Sequence, residues 1–283
     1  MKKNLLLMGK GGLFGIANII PGVSGGTMAV VLGFYEYLIE VIGNFLTRPE
    51  KRKEYVLFLA KLFSGAALAI LVFSFIMDYL LTHYSIYTYL FFIGLILGSV
   101  PSVYRTHNDM RLTVSSIVFF LFGAVFLLII SYAFPAGHKG DADSVAQMHW
   151  TMNSWQALKL ITAGFISGGS MIIPGVSGSF MLVLLGQYHV VIRAIKNMDI
   201  LTLAVFGAGV VLGIIAFAKI MDWCFKKFPR QTMYFVLGLV LISVIPIFPG
   251  LPAGILGGIF ALAVFIIGFL AAYGLGKFEA PGH

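Results

Sequence analysis

The sequence predicts an all-α polytopic membrane protein made of two inverted repeats, each containing a re-entrant helical hairpin and three transmembrane helices. Three observations lead to this fold class. The 283-residue chain is 59% hydrophobic and only 11% charged, with a mean hydropathy of +0.97, which is more apolar surface than a soluble domain needs. A glycine-rich string occurs twice, and the lysines and arginines are unevenly distributed among the predicted loops.

Charge-free runs predict the transmembrane helices. Crossing a bilayer as a helix takes about 20 apolar residues. The run from Leu112 to Gly137 contains no charged residue and is long enough for one crossing. The run from Gln231 to Gly276 is long enough for two, and Pro246, Pro249 and Pro252 favour a turn between them.

Composition also limits the function classes. The first twelve residues resemble a signal peptide only at their start, since Lys10 interrupts the apolar region, so we expect a retained cytoplasmic segment. The single cysteine, Cys224, excludes an intrachain disulfide, and the sequence contains no metal-ligand spacing, so we expect no metal and no cofactor. The net charge of +8 comes from basic residues that flank predicted spans, which indicates topology rather than nucleic-acid binding.

The chain is an internal duplication. Shifted by 153 residues, residues 15–35 align with residues 168–188, and 13 of these 21 positions are identical. Both copies contain Ile-Ile-Pro-Gly-Val-Ser-Gly, followed by Leu-Gly-x-Tyr. At an offset of 144 residues, Ile-Met-Asp at 76–78 aligns with 220–222. Such internal repeats are typical of secondary transporters.

The duplication defines the predicted organisation. Repeat 1 covers residues 1–134 and repeat 2 covers residues 156–277, with an external linker loop at 135–155 and a cytoplasmic tail at 278–283. Each repeat begins with an interrupted helical segment, and three spans follow. The interrupted segments are 11–45 and 160–197; the spans are 55–80, 86–103 and 112–134 in repeat 1, and 200–224, 231–248 and 252–275 in repeat 2.

The distribution of positive charge predicts whether the interrupted segments cross the membrane. If they are re-entrant and the N-terminus is cytoplasmic, 13 lysines and arginines lie inside and 4 lie outside. If they cross, the numbers are 9 inside and 8 outside. Positive residues are enriched in cytoplasmic loops, so the first arrangement is favoured. It makes the repeats inverted and places both termini in the cytoplasm.

The interrupted segments predict an anion site. Irregular backbone at membrane depth is tolerated where it is buried in protein or lines a cavity. A proline ends each first half-helix, the glycines allow a tight turn, and Ser24 or Ser177 is placed to cap the second half-helix. Two such helix starts converging from opposite faces would bind phosphate or another oxyanion. In the alternative interpretation, the proline and glycines only kink the helices and let them pack closely. The predicted substrate-binding residues are Pro21, Gly22, Val23, Ser24, Gly25, Gly26, Thr27, Pro174, Gly175, Val176, Ser177, Gly178 and Ser179.

Other polar residues are candidates for contact with the head group or with a coupling cation. They are Glu36, His189, Lys61, Lys219 and Arg193. Glu36 and His189 occupy equivalent positions after the two strings, and the two lysines lie near predicted cytoplasmic ends, where lysine side chains reach toward the interface. Asp78 and Asp222 occupy equivalent positions near opposite faces, and we expect Asp222 to pair with Lys219.

The doubled P-G-V-S-G-[GS] string, each copy followed by L-G-x-Y, resembles the PopT family of bacterial polyprenyl-phosphate transporters, formerly a domain of unknown function. The resemblance covers essentially the whole chain. It implies a flippase that returns undecaprenyl phosphate, the lipid carrier of cell-wall precursors, from the outer to the inner leaflet of the bacterial cytoplasmic membrane. The family's motifs fall on Pro21–Thr27 with Tyr35 and Glu36, and on Pro174–Ser179 with Tyr188.

Three other functions remain open at this point. A transporter or channel for a small inorganic anion would use the same helix ends. A lipid-modifying enzyme such as a phosphatase would need a nucleophile with a base, and the hydroxyls of the two strings have no base beside them, so we expect no catalytic residue and no enzyme. A structural membrane scaffold is the last alternative.

Inward movement of an anion requires an energy source. It costs about 2.3 kcal/mol per charge for each 100 mV of inside-negative potential. The sequence contains no GxxxxGK[ST] nucleotide-binding string. We therefore expect protons or another co-transported cation to neutralise the phosphate, with Glu36 and His189 as carriers, and membrane lipids as the other partners.

Overall fold

The structure is a computed structural model that describes residues 2–19, 24–106, 110–133 and 153–277. These ranges contain helices and turns but no strand, which confirms the all-α class. The predicted site residues Pro21, Gly22 and Val23, most of the predicted linker loop and the tail at 278–283 lie outside the described residues. The helices are α1 (Lys2–Ile19), α2 (Gly25–Val31), α3 (Tyr35–Asn44), α4 (Arg52–His83), α5 (Ser85–Thr106), α6 (Val114–Ala133), α7 (Ser154–Ile172), α8 (Gly178–Leu184), α9 (Tyr188–Lys196), α10 (Ile200–Lys227), α11 (Pro229–Ile242), α12 (Val244–Ile247) and α13 (Ile255–Lys277), with a 3₁₀ turn at Pro49–Lys51.

Five helices of the described chain are long and apolar enough to cross a membrane. Their apolar stretches are Pro49–Phe73, Val114–Tyr132, Ile200–Lys227, Pro229–Ile247 and Ile255–Gly274, which fall on five of the six predicted spans. The sixth, predicted at 86–103, coincides with α5, whose described apolar stretch, Ser85–Pro101, is shorter than those of the other five. The helices are those of a multi-pass membrane protein.

Both glycine-rich strings interrupt a helix, as predicted. The first separates α1 from α2, and the second separates α7 from α8. In the second string Gly175 has a φ of +82°, a left-handed conformation that other residues rarely adopt. The first helix of each segment begins before the predicted boundary, and α7 begins at Ser154 because Asn153 and Gln156 form a capping box.

The glycine of each Leu-Gly-x-Tyr sequence ends a short helix. Gly33 and Gly186 follow α2 and α8, with φ values of +70° and +65°. The N–H of Gly33 donates to the carbonyl of Val30 at 3.0 Å, which closes the last turn of α2. Each interrupted segment therefore consists of a longer first helix followed by two short helices. We call each pair of short helices, α2 with α3 and α8 with α9, a return arm.

The helices α7 and α10 pack closely along one another and run parallel. A Cβ atom at Gly209 would lie 2.3 Å from the carbonyl oxygen of Ile161, and one at Gly213 would lie 2.0 Å from that of Phe165. From the first contact to the second, the residue numbers rise on both helices, so the two helices run in the same direction. The absence of a side chain at these glycines allows the close approach.

The same contacts recur between α1 and α4. A Cβ atom at Gly65 would lie 2.1 Å from the carbonyl oxygen of Met8, and one at Gly12 would lie 3.5 Å from the Cβ of Ala69. Each pair is the counterpart, at offsets of 153 and 144 residues, of a contact between α7 and α10. The internal duplication thus corresponds to a duplicated packing arrangement.

The remaining long helices pair across the two halves of the chain. α5 packs against α13, and α6 packs against α11. Cβ atoms at Gly94 and Gly98 would each lie 2.2 Å from a carbonyl oxygen of α13, at Phe265 and Phe269 respectively. Here too the residue numbers of the contacts rise on both helices, so α5 and α13 run parallel. Equivalent glycine contacts join α11 to α6.

A buried carboxylate joins the two halves near the C-terminal end of α10. Nδ2 of Asn44 donates to Oδ2 of Asp222 at 2.9 Å, although the two residues are 178 positions apart. Lys226 forms an ion pair with the same carboxylate. Asp222 therefore pairs with Lys226 at i+4 rather than with the predicted Lys219, in the favourable order for a helix, with the acidic residue N-terminal to the lysine.

Candidate functional site

The two glycine-rich strings lie against each other. A Cβ atom at Gly26 would lie 3.2 Å from both the Cα and the N of Pro174, and 3.3 Å from the carbonyl oxygen of Ile172. The hydroxyl of Tyr35 donates to that same carbonyl at 2.9 Å. Residues far apart in sequence, from both copies of the string, are therefore in close contact, and a side chain at Gly26 would collide with the backbone of the second string.

Two buried hydroxyls in the first string carry the strongest signal for a ligand. Ser24 and Thr27 are 6% and 1% exposed, and their hydroxyl oxygens have no hydrogen-bond partner among the described residues. The prediction that Ser24 caps α2 through its side chain is wrong, since the residue occupies the N-cap position but its hydroxyl makes no capping bond. Burying a hydroxyl without a partner costs about 1–3 kcal/mol, so a polar ligand at this place would offset that cost.

The hydroxyls of the second string are arranged differently. The hydroxyl oxygens of Ser177 and Ser179 are 2.9 Å apart and form a hydrogen bond with each other. Ser167 on α7 donates its hydroxyl to the carbonyl of Gly178 at 2.8 Å, which fixes the start of α8 against α7. Val176 is 2% exposed and packs in a small apolar cluster with residues of α6 and α11. The second string is thus held by its own surroundings, and Ser179 remains exposed.

The starts of α2 and α8 present backbone N–H groups in the same arrangement. The N–H of Met28 donates to the carbonyl of Ser24 at 3.0 Å, and that of Met181 donates to the carbonyl of Ser177 at 3.2 Å. The three N–H groups before each methionine therefore precede the first intrahelical bond. Each helix has 7 residues, so these N–H groups and the hydroxyls matter more than the helix dipole. Several donors at one place suit an anion with several oxygens.

The other predicted site residues lie on α3, α4, α9 and α10. Glu36 is exposed in the first turn of α3, and His189 is partly buried, with its ring 5.5 Å from that of Tyr188. Lys61 lies on α4, Lys219 is exposed on α10, and Arg193 is partly buried on α9. In the described part of the chain, no group of three or more histidine, cysteine, aspartate or glutamate side chains is arranged to hold a metal.

Two side-chain contacts were missed from the sequence, one at the second string and one between α3 and α10. Ser167, which fixes the start of the second return arm, has no polar counterpart in the first repeat, so no pattern indicated it. Asn44 was also missed, although a signal exists, because an asparagine recurs at the equivalent Asn197. Both contacts depend on how helices pack, which hydropathy alone does not encode.

Comparison with known proteins identifies the family. Residues 14–257 match the family model described as undecaprenyl phosphate translocase-like. The chain is 32% identical over 280 residues to the polyprenyl-phosphate transporter of Staphylococcus aureus, covering 97% of this chain and 96% of the relative. It is 31% identical over 251 residues to the polyprenyl-phosphate transporter of Vibrio cholerae, covering 85% of this chain and 76% of the relative.

No solved structure matches the chain. The family match spans both glycine-rich strings and most of the helices described above, so it covers the whole candidate site rather than one fragment. The resemblance indicated by the doubled string is confirmed. The chain therefore belongs to the undecaprenyl phosphate translocase-like family.

Proposed function

We propose that this protein is a flippase that returns undecaprenyl phosphate from the outer to the inner leaflet of the bacterial cytoplasmic membrane. The phosphate head binds between the two glycine-rich strings. The observation that carries this proposal is the pair of buried hydroxyls, Ser24 and Thr27, that lack partners among the described residues where the strings meet. Relatives that are named polyprenyl-phosphate transporters support the same substrate class.

An apolar groove between α1 and the end of α2 would suit the tail of a lipid. It has a volume of about 240 Å³ and is lined by Leu5, Leu6, Gly9, Lys10, Leu13, Val31 and Leu32. Val31 and Leu32 end α2, about 10 Å along the helix from its start at the string. Leu5 and Leu6 are 65% and 48% exposed, so the groove is open at the surface of the protein. A prenyl chain could leave the site along this surface while its phosphate stays at the string.

The proposed architecture contains two re-entrant hairpins. If α7 and its return arm crossed the membrane as one span, α10 would have to come back and run antiparallel to α7. The parallel contacts of α7 and α10 favour the other arrangement, in which residues 173–199 lead back to the face where α7 begins. The same reasoning applies to α1 and α4, so each interrupted segment is a hairpin that enters and leaves at one face.

The parallel packing of α5 and α13 supports inversion of the repeats. α13 is the counterpart of α6, and the short connection between α5 and α6 makes those two helices antiparallel. Since α13 follows the direction of α5, it runs opposite to α6, as inverted repeats require. The hydrogen bond between Asn44 and Asp222 agrees with this topology, because both residues then lie at the cytoplasmic face.

The first prediction concerns topology. In a Cys224→Ser background, Ser154→Cys should react with a membrane-impermeant thiol reagent on intact cells, and Glu50→Cys should react only after permeabilisation. Both residues are exposed, so accessibility reports the membrane face rather than burial. Labelling of Glu50→Cys on intact cells, or of Ser154→Cys only after permeabilisation, would contradict the inverted arrangement.

The second prediction distinguishes the lipid from a small anion. Purified protein should be stabilised against thermal unfolding by undecaprenyl phosphate, because a ligand at about 100 times its Kd adds about 2.7 kcal/mol to the free energy of unfolding. Undecaprenol, which has the same tail without the phosphate, and inorganic phosphate, which has no tail, should each stabilise far less. Equal stabilisation by inorganic phosphate would favour an anion transporter, and equal stabilisation by undecaprenol would show that the head group is not recognised.

A further inference from the structure

The two return arms are packed differently, although their sequences are related. The first return arm, formed by α2 and α3, packs against α5 and α10 outside its own hairpin. The second return arm, formed by α8 and α9, makes its main contacts with α7 and α10 of its own repeat. Burial follows the same difference, since Asn44 is partly buried at the end of α3 whereas its counterpart Asn197 is exposed at the end of α9.

The contact that holds the first return arm has a complete counterpart in the sequence. Asn44 donates to Asp222 of α10 at 2.9 Å. At the offsets of the duplication, 153 and 144 residues, these two positions correspond to Asn197 and Asp78. Thus a second asparagine–aspartate pair is encoded between α9 and α4, two helices that do not pack extensively in the described chain.

A second contact is duplicated in the same way. The hydroxyl of Tyr35 donates to the carbonyl of Ile172 in the other repeat at 2.9 Å. The corresponding residues are Tyr188 and Ile19. Tyr188 packs instead on an apolar cluster of its own repeat around Leu160. Both residue types needed for the mirrored contact are present, but the second return arm is placed elsewhere.

We infer that the two asparagine–aspartate pairs form in turn, each in a different conformation, and that each closes one side of the protein. We call these pairs latches, and this inference rests on the proposed flippase function. The Asn44–Asp222 latch closes the cytoplasmic side in the described conformation. The Asn197–Asp78 latch closes the outer side in a second conformation, in which α9 packs on α4 and α3 leaves α10. An inverted duplication gives the two states related contacts, so one phosphate site can face each side in turn.

The test uses a cysteine substitution on α10 at a position that α3 covers while the Asn44–Asp222 contact is formed. Ala218 on α10 is 0% exposed, and the backbone of Gly43 on α3 lies directly against it. In a Cys224→Ser background, the rate at which Ala218→Cys reacts with an impermeant maleimide in inside-out vesicles measures how often α3 leaves α10. Adding Asn44→Ala should raise this rate about ten-fold, which corresponds to the loss of one hydrogen bond to a charged group.

The mirrored variant supplies the decisive comparison. Asn197→Ala should lower the rate, because it destabilises the other conformation, and the double variant should return close to the parent. Asp222→Ala should match Asn44→Ala, and combining the two should add no further increase, since both remove one contact. Changes of the same sign in Asn44→Ala and Asn197→Ala, or no change in either, would overturn the latch inference.

A parallel measurement separates this inference from the proposed function. The same reporter proteins are tested for stabilisation by undecaprenyl phosphate in detergent. If the lipid fails to bind the parent protein, the flippase proposal fails whatever the labelling rates are. If the lipid binds and the rates do not respond in opposite directions, the latch inference alone is wrong.

Discussion

Combining Ser24→Ala with Thr27→Val is expected to weaken binding of undecaprenyl phosphate about 100-fold or more without reducing the stability of the ligand-free protein. Each hydroxyl is proposed to donate one hydrogen bond to the phosphate, and a hydrogen bond to a charged group is worth about 1.5–3 kcal/mol. Two such bonds correspond to at least two factors of ten in the dissociation constant. The binding is measured by titration of the purified protein with the lipid.

The effect on stability has the opposite sign from that of an ordinary buried-polar substitution. The hydroxyls of Ser24 and Thr27 lack partners in the described chain, so their removal should leave the free energy of unfolding unchanged or raise it by about 1 kcal/mol. The matched controls are Ser99→Ala and Thr88→Val, whose buried hydroxyls donate to carbonyls of their own region. The controls should lose some stability and bind the lipid normally.

The result that would contradict this prediction is equally specific. If Ser24→Ala with Thr27→Val binds undecaprenyl phosphate as the parent does, these hydroxyls do not contact the head group. If the double variant instead unfolds more readily than the parent, the hydroxyls have structural partners. Either result would remove the observation on which the proposed phosphate site mainly rests.

Much of the architecture could be predicted because hydropathy and duplication act at the level of whole helices. Apolar runs located five of the membrane helices, and the repeated string located both interruptions. The N-terminal boundaries of α1 and α7 were less predictable. A capping box at Asn153 extends α7, and such local hydrogen bonding is a weaker signal than an apolar run.

The candidate site was only partly predictable for a different reason. Residue types at the string indicated donors for an anion, and two of them, Ser24 and Thr27, are buried and without partners among the described residues. Whether a hydroxyl finds a protein partner depends on how the surrounding helices pack, which residue type alone does not encode. The same holds for Tyr35 and Asn44, whose partners lie more than 100 positions away and are reached only after the helices pack.

Proton coupling is proposed to act through the residues that follow the two strings. Glu36 lies in the first turn of α3 and is exposed, and His189 occupies the equivalent place on α9. A proton that accompanies the phosphate reduces the charge that must move against the membrane potential, and each charge costs about 2.3 kcal/mol per 100 mV. Glu36→Gln removes one carrier without changing the size of the side chain, so it should reduce the response to pH while leaving the phosphate site intact.

The most direct test of the proposed function is movement of undecaprenyl phosphate between the leaflets of proteoliposomes. Transfer should be much faster with the protein than without it, and faster still when the side that supplies the lipid is acidic. Glu36→Gln should reduce this response to pH, and Ser24→Ala with Thr27→Val should reduce transfer to the protein-free rate. Equal rates in the presence and absence of the protein, at any pH gradient, would contradict the account.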